Sequence, residues 1–281
     1  MIDFVVMSAD GTSLKGSVLS NPQNPIAVVT LIHGFGEHFK RYQAMADYLA
    51  QLGIAVIAAD LRGHGQSEGK RGTISSYNEL GQDLNAIMHE TRKRFASVPH
   101  ILYGHSMGGG LVLNQVLSDD AVGHDLYGVI SSAPLLRLKK PPNTILRGVV
   151  SFLCLFAPKL SLKSPIDGTK VSTIPSEQEA YVRDPLNHGQ MSLALAKGMV
   201  EAGEEALTKV SAWQTPLLLL HSKNDQLTDF NASQDFAARA QHCEFHAFEN
   251  VEHEMHNDTS RDAVFALMKD FILKQIKRAP A

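Results

Sequence analysis

The clearest indication of the fold of this 281-residue chain is the segment Ile101-Leu102-Tyr103-Gly104-His105-Ser106-Met107-Gly108-Gly109-Gly110-Leu111. It has the pattern of an apolar strand, a Gly-x-Ser-x-Gly turn and the start of a helix. In such a turn the serine backbone is strained, and glycines two residues before and after it let neighbouring backbone pass without a Cβ clash. The segment therefore predicts a nucleophilic serine, Ser106, at the end of a buried strand. The alternative is an ordinary tight turn.

Short apolar runs alternate with helical patterns along most of the chain. The runs are rich in β-branched residues and predict strands buried on both faces, at residues 26–32, 54–59, 101–103, 128–130, 217–220 and 243–248. The helical patterns cover residues 42–52, 77–94 and 109–117. A hairpin around Asp10-Gly11 opens the chain, and an amphipathic helix after Thr259 or Ser260 closes it. This alternation predicts an α/β fold with a mostly parallel, doubly wound sheet.

The alternation is interrupted between about Leu135 and Glu205, where prolines cluster among apolar helical stretches. A structureless loop of that length would be unusual in a compact domain. We therefore predict a core made of residues 1–134 and 206–281, and an inserted helical cap made of residues 135–205.

Composition mainly indicates which partners and locations are not expected. A net charge of −3 and a pI near 6.5 give no broad attraction to nucleic acid or to an anionic membrane. Cys154 and Cys243 form no metal-ligand pattern and are expected to be buried free thiols. The N-terminus has no pattern of a secretory signal, and the apolar stretch 145–157 is shorter than the roughly 20 residues that cross a bilayer. A cytoplasmic protein is expected.

A serine hydroxyl becomes a good nucleophile only when a base takes its proton and a carboxylate orients that base. In folds with this serine turn, the acid and then the histidine follow the serine along the chain. Asp225 comes directly after the apolar run 217–220, at the strand end where catalytic groups gather. Asp225 is the predicted acid, and Asp229 is the competing candidate. The non-catalytic alternative is that Asp225 is a solvated helix N-cap.

The base is expected after the next strand-like run, residues 243–248. His253 is the predicted base and His256 the runner-up, whereas His242 and His246 are expected at the surface or in the strand. The His-x-x-His pair could suggest a metal, but no third ligand stands at a matching spacing. We expect neither a metal nor a cofactor.

Charge on a tetrahedral oxygen needs hydrogen-bond donors that are already in place, worth about 3–4 kcal/mol each in the barrier. The backbone N–H of Met107, directly after the serine, is one predicted donor. The second is the N–H of Phe35 in His33-Gly34-Phe35-Gly36, a segment that could also be a simple glycine turn.

Further motifs match a known family. They are His33-Gly34-Phe35-Gly36-Glu37-His38 with Arg41-Tyr42, then Asp60-Leu61-Arg62-Gly63-His64-Gly65-Gln66-Ser67-Glu68-Gly69, then Gly104-His105-Ser106-Met107-Gly108-Gly109, with Tyr181, Asp184-Pro185-Leu186 and His188-Gly189 in the predicted cap. With these motifs the chain resembles the monoacylglycerol lipase and lysophospholipase-like group of α/β-hydrolases. The resemblance implies an α/β-hydrolase fold and the same catalytic and oxyanion-hole residues.

The resemblance also raises points of detail. Relatives commonly have a glycine after His221 and a small residue at the position of Phe35, so Phe35 is expected to alter the pocket shape. The stretch Arg62-Gly63-His64-Gly65 is expected to form a tight polar loop beside the oxyanion-hole loop. Glu37 and Arg41 are candidates for binding a polar head group such as glycerol, but a local salt bridge one turn apart would explain them equally well.

The function expected from these features is hydrolysis of a carboxylic ester with a long or medium acyl chain, with monoacylglycerol and lysophospholipid as the natural candidates. The partners would be a lipid-like ester and water, and not nucleic acid. The apolar stretch Ile145–Phe156 is expected to line an acyl tunnel or to touch a membrane surface, unless it packs fully within the protein. A small-ester carboxylesterase, an acyltransferase and a non-catalytic binding protein are the alternatives.

Overall fold

The computed structural model describes residues 1–118, 122–123, 125–164 and 166–277. The described residues contain ten strands: β1 (Ile2–Met7), β2 (Ser13–Ser20), β3 (Ala27–Ile32), β4 (Ile54–Ala59), β5 (His100–His105), β6 (Leu126–Ser132), β7 (Ser161–Lys163), β8 (Gln190–Ser192), β9 (Leu217–Ser222) and β10 (Cys243–Phe248). Eight of them form one sheet in the order β1-β2-β4-β3-β5-β6-β9-β10. The six strands from β4 to β10 in that order are parallel, and β1 and β2 are antiparallel.

Helices cover both faces of this sheet. The described helices are α1 (Gln43–Ala50), α2 (Asn78–Arg94), α3 (Met107–Leu117), α4 (Thr144–Phe156), α5 (Pro175–Arg183), α6 (Leu193–Lys209), α7 (Phe230–Arg239) and α8 (Arg261–Ile276). Buried side chains of α2, α3, α6 and α7 form one core cluster with the sheet. Those of α1 and α8 form the second, on the opposite face. The predicted doubly wound, mostly parallel α/β fold is confirmed.

The central strands are apolar along their whole length because both of their faces are covered. Every residue of β3 is buried. Val28 and Ile32 belong to one core cluster, whereas Val29 and Leu31 belong to the other. This is the reason that these strands read as continuous apolar runs rather than as alternating ones.

Between β6 and β9 the chain leaves the sheet. This insertion contains α4, α5 and the antiparallel pair β7–β8. The predicted division into core and cap stays a prediction, but α6 runs unbroken across its second boundary at residue 205. Because buried residues of α6 share a core cluster with α3, we propose that the inserted part ends at Ser192.

Two further expectations concern the cysteines and membrane-spanning segments. Cys154 and Cys243 are free thiols, as predicted, but both are half-buried rather than buried. None of the helices in the described part of the chain is long and apolar enough to cross a membrane.

The carboxyl ends of the parallel strands meet at one edge of the sheet. The segments that follow β3, β5, β9 and β10 there carry Phe35, Ser106, Asp225 and His253, respectively. The fold therefore brings four segments that are far apart in sequence to the same edge.

Candidate active site

Ser106 occupies a strained turn between β5 and α3. Its backbone has φ 53° and ψ −117°, in the left-handed region that non-glycine residues rarely adopt. Three hydrogen bonds hold it there. Its N–H donates to Ser132 O over 3.0 Å, and its carbonyl accepts from Gly110 N and Leu135 N, each over 2.9 Å. The conformation is thus imposed by the end of β6 and the first turn of α3.

The two glycines of the Gly-x-Ser-x-Gly pattern are required by close packing. A Cβ atom on Gly104 would lie 2.4 Å from Gly108 O, and one on Gly108 would lie 2.4 Å from His33 O. Both obstacles are backbone atoms, which cannot move aside cheaply. The sequence pattern therefore has a direct steric cause.

Asp225 and His253 form a buried pair. His253 Nδ1 lies 2.6 Å from Asp225 Oδ2, to which it donates, and the side chains are 4% and 0% exposed. Asp225 Oδ1 accepts from the N–H groups of Leu227 (2.7 Å) and Thr228 (3.0 Å). The competitor Asp229 instead caps α7 by accepting from Asn231 N. The structure thus brings Asp225, and not Asp229, to the predicted base.

The other candidate histidines lie elsewhere. His256 is buried and stacks on Tyr42, with ring centroids 4.6 Å apart and an interplanar angle of 13°. The rings of His253 and His256 lie 4.7 and 4.8 Å from that of His105, the residue directly before Ser106, so the bond to Asp225 is what separates the two candidates. His242 is exposed, and His246 is a half-buried residue of β10.

The Asp225–His253 pair shifts the protonation equilibria of both groups. Burial by itself would raise the pKa of Asp225, but the charge of His253 and hydrogen bonds from His221 and His253 hold that pKa well below its usual range. Burial would lower the pKa of His253, but the Asp225 carboxylate outweighs it and raises the pKa. The carboxylate is therefore ionised at neutral pH and favours the imidazolium form of His253.

The loop His33-Gly34-Phe35-Gly36 is held from both sides. Glu37 Oε1 accepts from Gly34 N over 2.6 Å, and His33 Nε2 accepts from Leu61 N over 2.9 Å. Among the residues that the structure describes, no group accepts a hydrogen bond from the N–H of Phe35 or of Met107. The role of these two amides as the oxyanion hole stays a prediction.

Glu37 and Arg41, the candidates for a polar head group, bind each other. Arg41 Nε donates to Glu37 Oε2 over 3.2 Å, and Arg41 Nη2 donates to Glu254 Oε2 over 2.5 Å. Their side chains are 3% and 7% exposed, and the Arg41 guanidinium lies over the Tyr181 ring. The geometry corresponds to the local salt bridge that was the alternative, and the head-group role stays a prediction.

The Arg62-Gly63-His64-Gly65 loop lies behind Phe35. The ring of His64 is 6.0 Å from that of Phe35 and 4.7 Å from that of His188 in the insertion. His188 N also donates to Gly36 O over 2.8 Å. The insertion and this polar loop thus support the loop that carries the Phe35 amide.

A cavity of about 470 Å³ opens at Ser106. Phe35, Leu135 and Leu227 line it near the serine; Leu146 and Val150 of α4 face Ala196, Met199 and Val200 of α6 across it. Charged side chains also line it: Arg147, Asp167, Lys170, Lys197 and Glu201. The residues from α6 were not predicted to line a cavity, because nothing in the sequence of α6 indicates which of its faces borders one.

Comparison with known proteins places the chain in a family. The family described as serine aminopeptidase, S33, matches residues 23–260. The chain belongs to this family. It is 27% identical over 273 residues to the monoacylglycerol lipase of Mycolicibacterium smegmatis, covering 95% of each chain. A Dictyostelium discoideum protein described as an uncharacterized abhydrolase domain-containing protein is 31% identical over 277 residues, 98% of this chain but 29% of that protein.

A solved structure agrees. The fold matches the crystal structure of the Paleococcus ferrophilus monoacylglycerol lipase with a TM-score of 0.82 and 26% identity, over 92% of this chain and 98% of that one. These matches confirm the predicted membership in the monoacylglycerol-lipase-like α/β-hydrolases and the prediction of a carboxylic ester hydrolase.

Proposed function

We propose that the protein hydrolyses esters of long or medium acyl chains, monoacylglycerols or lysophospholipids, through an acyl-enzyme on Ser106. The observation that carries this proposal is the apolar cavity that opens at a strained serine, on the sheet edge that also bears the buried Asp225–His253 pair. The names of the relatives support the same substrate class.

In the proposed mechanism Ser106 Oγ attacks the ester carbonyl and His253 takes its proton. Asp225 keeps the imidazole oriented and stabilises the imidazolium. His253 then gives the proton to the leaving alcohol, and water, activated by the same histidine, releases the fatty acid. The N–H groups of Phe35 and Met107 stabilise the oxyanion by about 3–4 kcal/mol each.

The test is labelling with a fluorophosphonate probe, comparing the wild type with Ser106→Ala. We expect labelling of the wild type alone, and turnover of monoacylglycerols and lysophospholipids that rises with acyl length. Equal labelling of both proteins would disprove the role of Ser106. Turnover of acetate esters far above that of long chains would favour a carboxylesterase, and acyl transfer to added glycerol in preference to water would favour a transferase.

The assignment of His253 as the base is tested by comparing its substitution with that of His256. We expect His253→Ala to abolish turnover, whereas His256→Ala retains part of it. The reverse result would transfer the role of base to His256.

We further propose that α4 contacts the lipid surface that holds the substrate. None of its residues is buried, and its side chains Ile145, Phe152 and Phe156 are 78%, 62% and 76% exposed. Apolar helix faces of this kind bind membrane interfaces in proportion to the apolar area they bury there.

This contact is tested with phosphatidylcholine vesicles. The Phe152→Ser/Phe156→Ser variant should lose co-sedimentation with vesicles and activity on vesicle-borne substrate, with unchanged activity on a dissolved nitrophenyl ester. The matched control is Val5→Ser on β1, which is 51% exposed and far along the chain from α4. Equal vesicle binding by all three proteins would exclude α4 as the contact.

A further inference from the structure

The carboxylate of Asp225 has a second histidine beside it. His221 Nε2 lies 3.1 Å from Asp225 Oδ2, the same oxygen that binds His253 Nδ1 at 2.6 Å. The side chains of His221 and Asp225 are both 0% exposed. One carboxylate oxygen thus contacts two imidazoles, and the farther of them, His221, is closed to water.

The tautomer of His221 is set from its other side. Ser233 on α7 has its Oγ 2.7 Å from His221 Nδ1, and Ser233 is also fully buried. When the serine hydroxyl donates to Nδ1, the ring proton is on Nε2 and faces the carboxylate. The opposite tautomer would turn a lone pair toward a buried negative charge, which is costly in a low-dielectric interior.

Without His221, the hydrogen bonds of fixed direction from groups other than His253 would bind mainly one oxygen of the Asp225 carboxylate, Oδ1. The amides of Leu227 and Thr228 bind Oδ1. Oδ2, the oxygen that orients His253, is bonded by the hydroxyl of Thr228 at 2.8 Å besides the two histidines. The Thr228 hydroxyl has one proton and also lies 3.2 Å from Ala133 O and 3.3 Å from His221 Nε2, so its bond to Oδ2 is shared. His221, in contrast, is anchored at its other ring nitrogen by Ser233.

We propose that His221, held by Ser233 in the tautomer with the proton on Nε2, is a positioning residue that keeps Asp225 Oδ2 aimed at His253. The inference rests on the proposed function, because it acts through the proposed acid and base. His221 is not among the residues that line the cavity at Ser106.

Other charged or titratable groups near His253 could obscure its titration. These are His105, whose ring is 4.7 Å away, with His256, Glu254 and Glu37. None of them is changed by a substitution at His221, so a difference between variants at position 221 reports on Asp225.

The experiment compares His221→Leu with His221→Gln. Leucine fills the space without a donor, whereas the glutamine amide can place an N–H near the position of Nε2. We expect His221→Leu to lower kcat about 10–100-fold with little change in KM, less than the roughly 10⁴-fold loss that follows removal of a triad carboxylate's charge. His221→Gln should recover most of this loss, and Ser233→Ala should fall between the wild type and His221→Leu.

A pH profile separates positioning from mere packing. In His221→Leu the Asp225 carboxylate bonds one imidazole instead of two, so its charge acts more strongly on His253 and raises the pKa of that residue. The acidic limb of kcat/KM should therefore move to higher pH. Thr30→Val is the matched control, because it removes another buried hydroxyl, one that bonds Thr91 Oγ1 at 3.1 Å. It should lower Tm and leave kcat and the limb unchanged.

The outcomes are distinct. Unchanged kcat and an unmoved limb in folded His221→Leu would overturn the positioning role, as would equal losses in the leucine and glutamine variants. Absence of Ser106-dependent turnover in the wild type would instead refute the proposed function itself.

Discussion

At the scale of single residues, the site depends on one unfavourable backbone conformation. A non-glycine residue held at positive φ costs on the order of 1–3 kcal/mol, and it persists only where its surroundings impose it. At Ser106 the surroundings are the backbone of Ser132, Gly110 and Leu135. The glycine neighbours matter because no side chain fits between the turn and the end of β3.

Gly108→Ala should therefore damage both stability and turnover. The new Cβ would lie 2.4 Å from His33 O and 2.5 Å from Ile32 O, so the loop that carries Phe35 must shift. We expect a loss of about 1–3 kcal/mol in the free energy of unfolding, measured by urea denaturation, and a fall in kcat of more than about 10-fold.

The control is Gly148→Ala in α4, where a Cβ would meet nothing within 4 Å. It should stabilise the helix by up to about 1 kcal/mol. A Gly108→Ala protein with wild-type stability and kcat would contradict the steric explanation of the motif.

The acid–base pair predicts the direction of the pH dependence. Asp225 raises the pKa of His253 above its ordinary value, and in the proposed mechanism only neutral His253 can accept the proton of Ser106. The value of kcat/KM should therefore rise with pH through an apparent pKa above about 6.5. A pH-rate profile of a soluble ester measures it, and a limb well below that pH would show that His253 is not the titrating base.

At the scale of elements, one arginine joins the N-terminal hairpin, the segment after β4 and α2. Arg62 is buried and donates to Asp83 of α2 from Nε (2.9 Å) and Nη2 (2.7 Å). Its guanidinium also binds Asp10 in the hairpin turn and Glu79 of α2. This ion-pair network fixes the polar loop that lies behind Phe35.

Arg62→Ala should destabilise the protein by about 3–5 kcal/mol, because it leaves the fully buried carboxylate of Asp83 without its cation. Guanidinium denaturation measures the loss. Arg239→Ala is the control, because it removes the exposed i,i+4 pair with Asp235 and should cost less than about 1 kcal/mol. Similar losses in both variants would show that the network does not join the elements.

Prediction of the elements from sequence succeeded where apolar periodicity is strong. The helix predicted at residues 42–52 is α1, Gln43–Ala50, and that predicted at 77–94 is α2, Asn78–Arg94. The helix α7 was not predicted, because it buries only Ala232, Ser233 and Phe236, while its other apolar residues, Phe230, Ala237 and Ala238, are half-buried or exposed. A helix with so small an apolar face leaves little periodic signal.

At the scale of the whole molecule, several buried or half-buried histidines are kept in the neutral form. Burial is the main cause that lowers the pKa of His256 to about 4 and that of His188 to about 4; it also lowers the pKa of His64 and His105. In the unfolded chain these residues titrate near 6.5. Between pH 4 and pH 6.5 the unfolded state therefore binds more protons than the folded state.

The free energy of unfolding should consequently fall as pH decreases from about 6.5 toward 4. His256 alone contributes about 3 kcal/mol, from a pKa of 6.5 lowered to about 4. His253 acts in the opposite sense: its raised pKa adds stability below about 6.5, which is lost as pH rises through the folded value.

His256→Gln tests this account. Tm measured from pH 7 to pH 4 should fall less steeply in the variant than in the wild type, because one proton-binding difference is gone. Thr91→Val, which changes a fully buried residue that does not titrate, is the control and should keep the wild-type slope. Equal slopes for wild type and His256→Gln would mean that His256 does not couple protonation to unfolding.

The strand–turn–helix at Ser106, and the positions of Asp225 and His253 soon after strand-like runs, can be predicted from the amino-acid sequence alone. These features are local: a run of apolar residues, two glycines and the position after a strand are enough to predict them. Parallel strands then bring such positions to one edge without further information.

The neighbours of those residues become known only from the three-dimensional packing. Asp225 rather than Asp229 meets His253, Glu37 pairs with Arg41, and His221 lies against the same carboxylate. The cavity between α4 and α6 also appears only in three dimensions. The physical reason is that each of these contacts depends on distance and direction between side chains from segments packed together, which residue spacing along the chain does not specify.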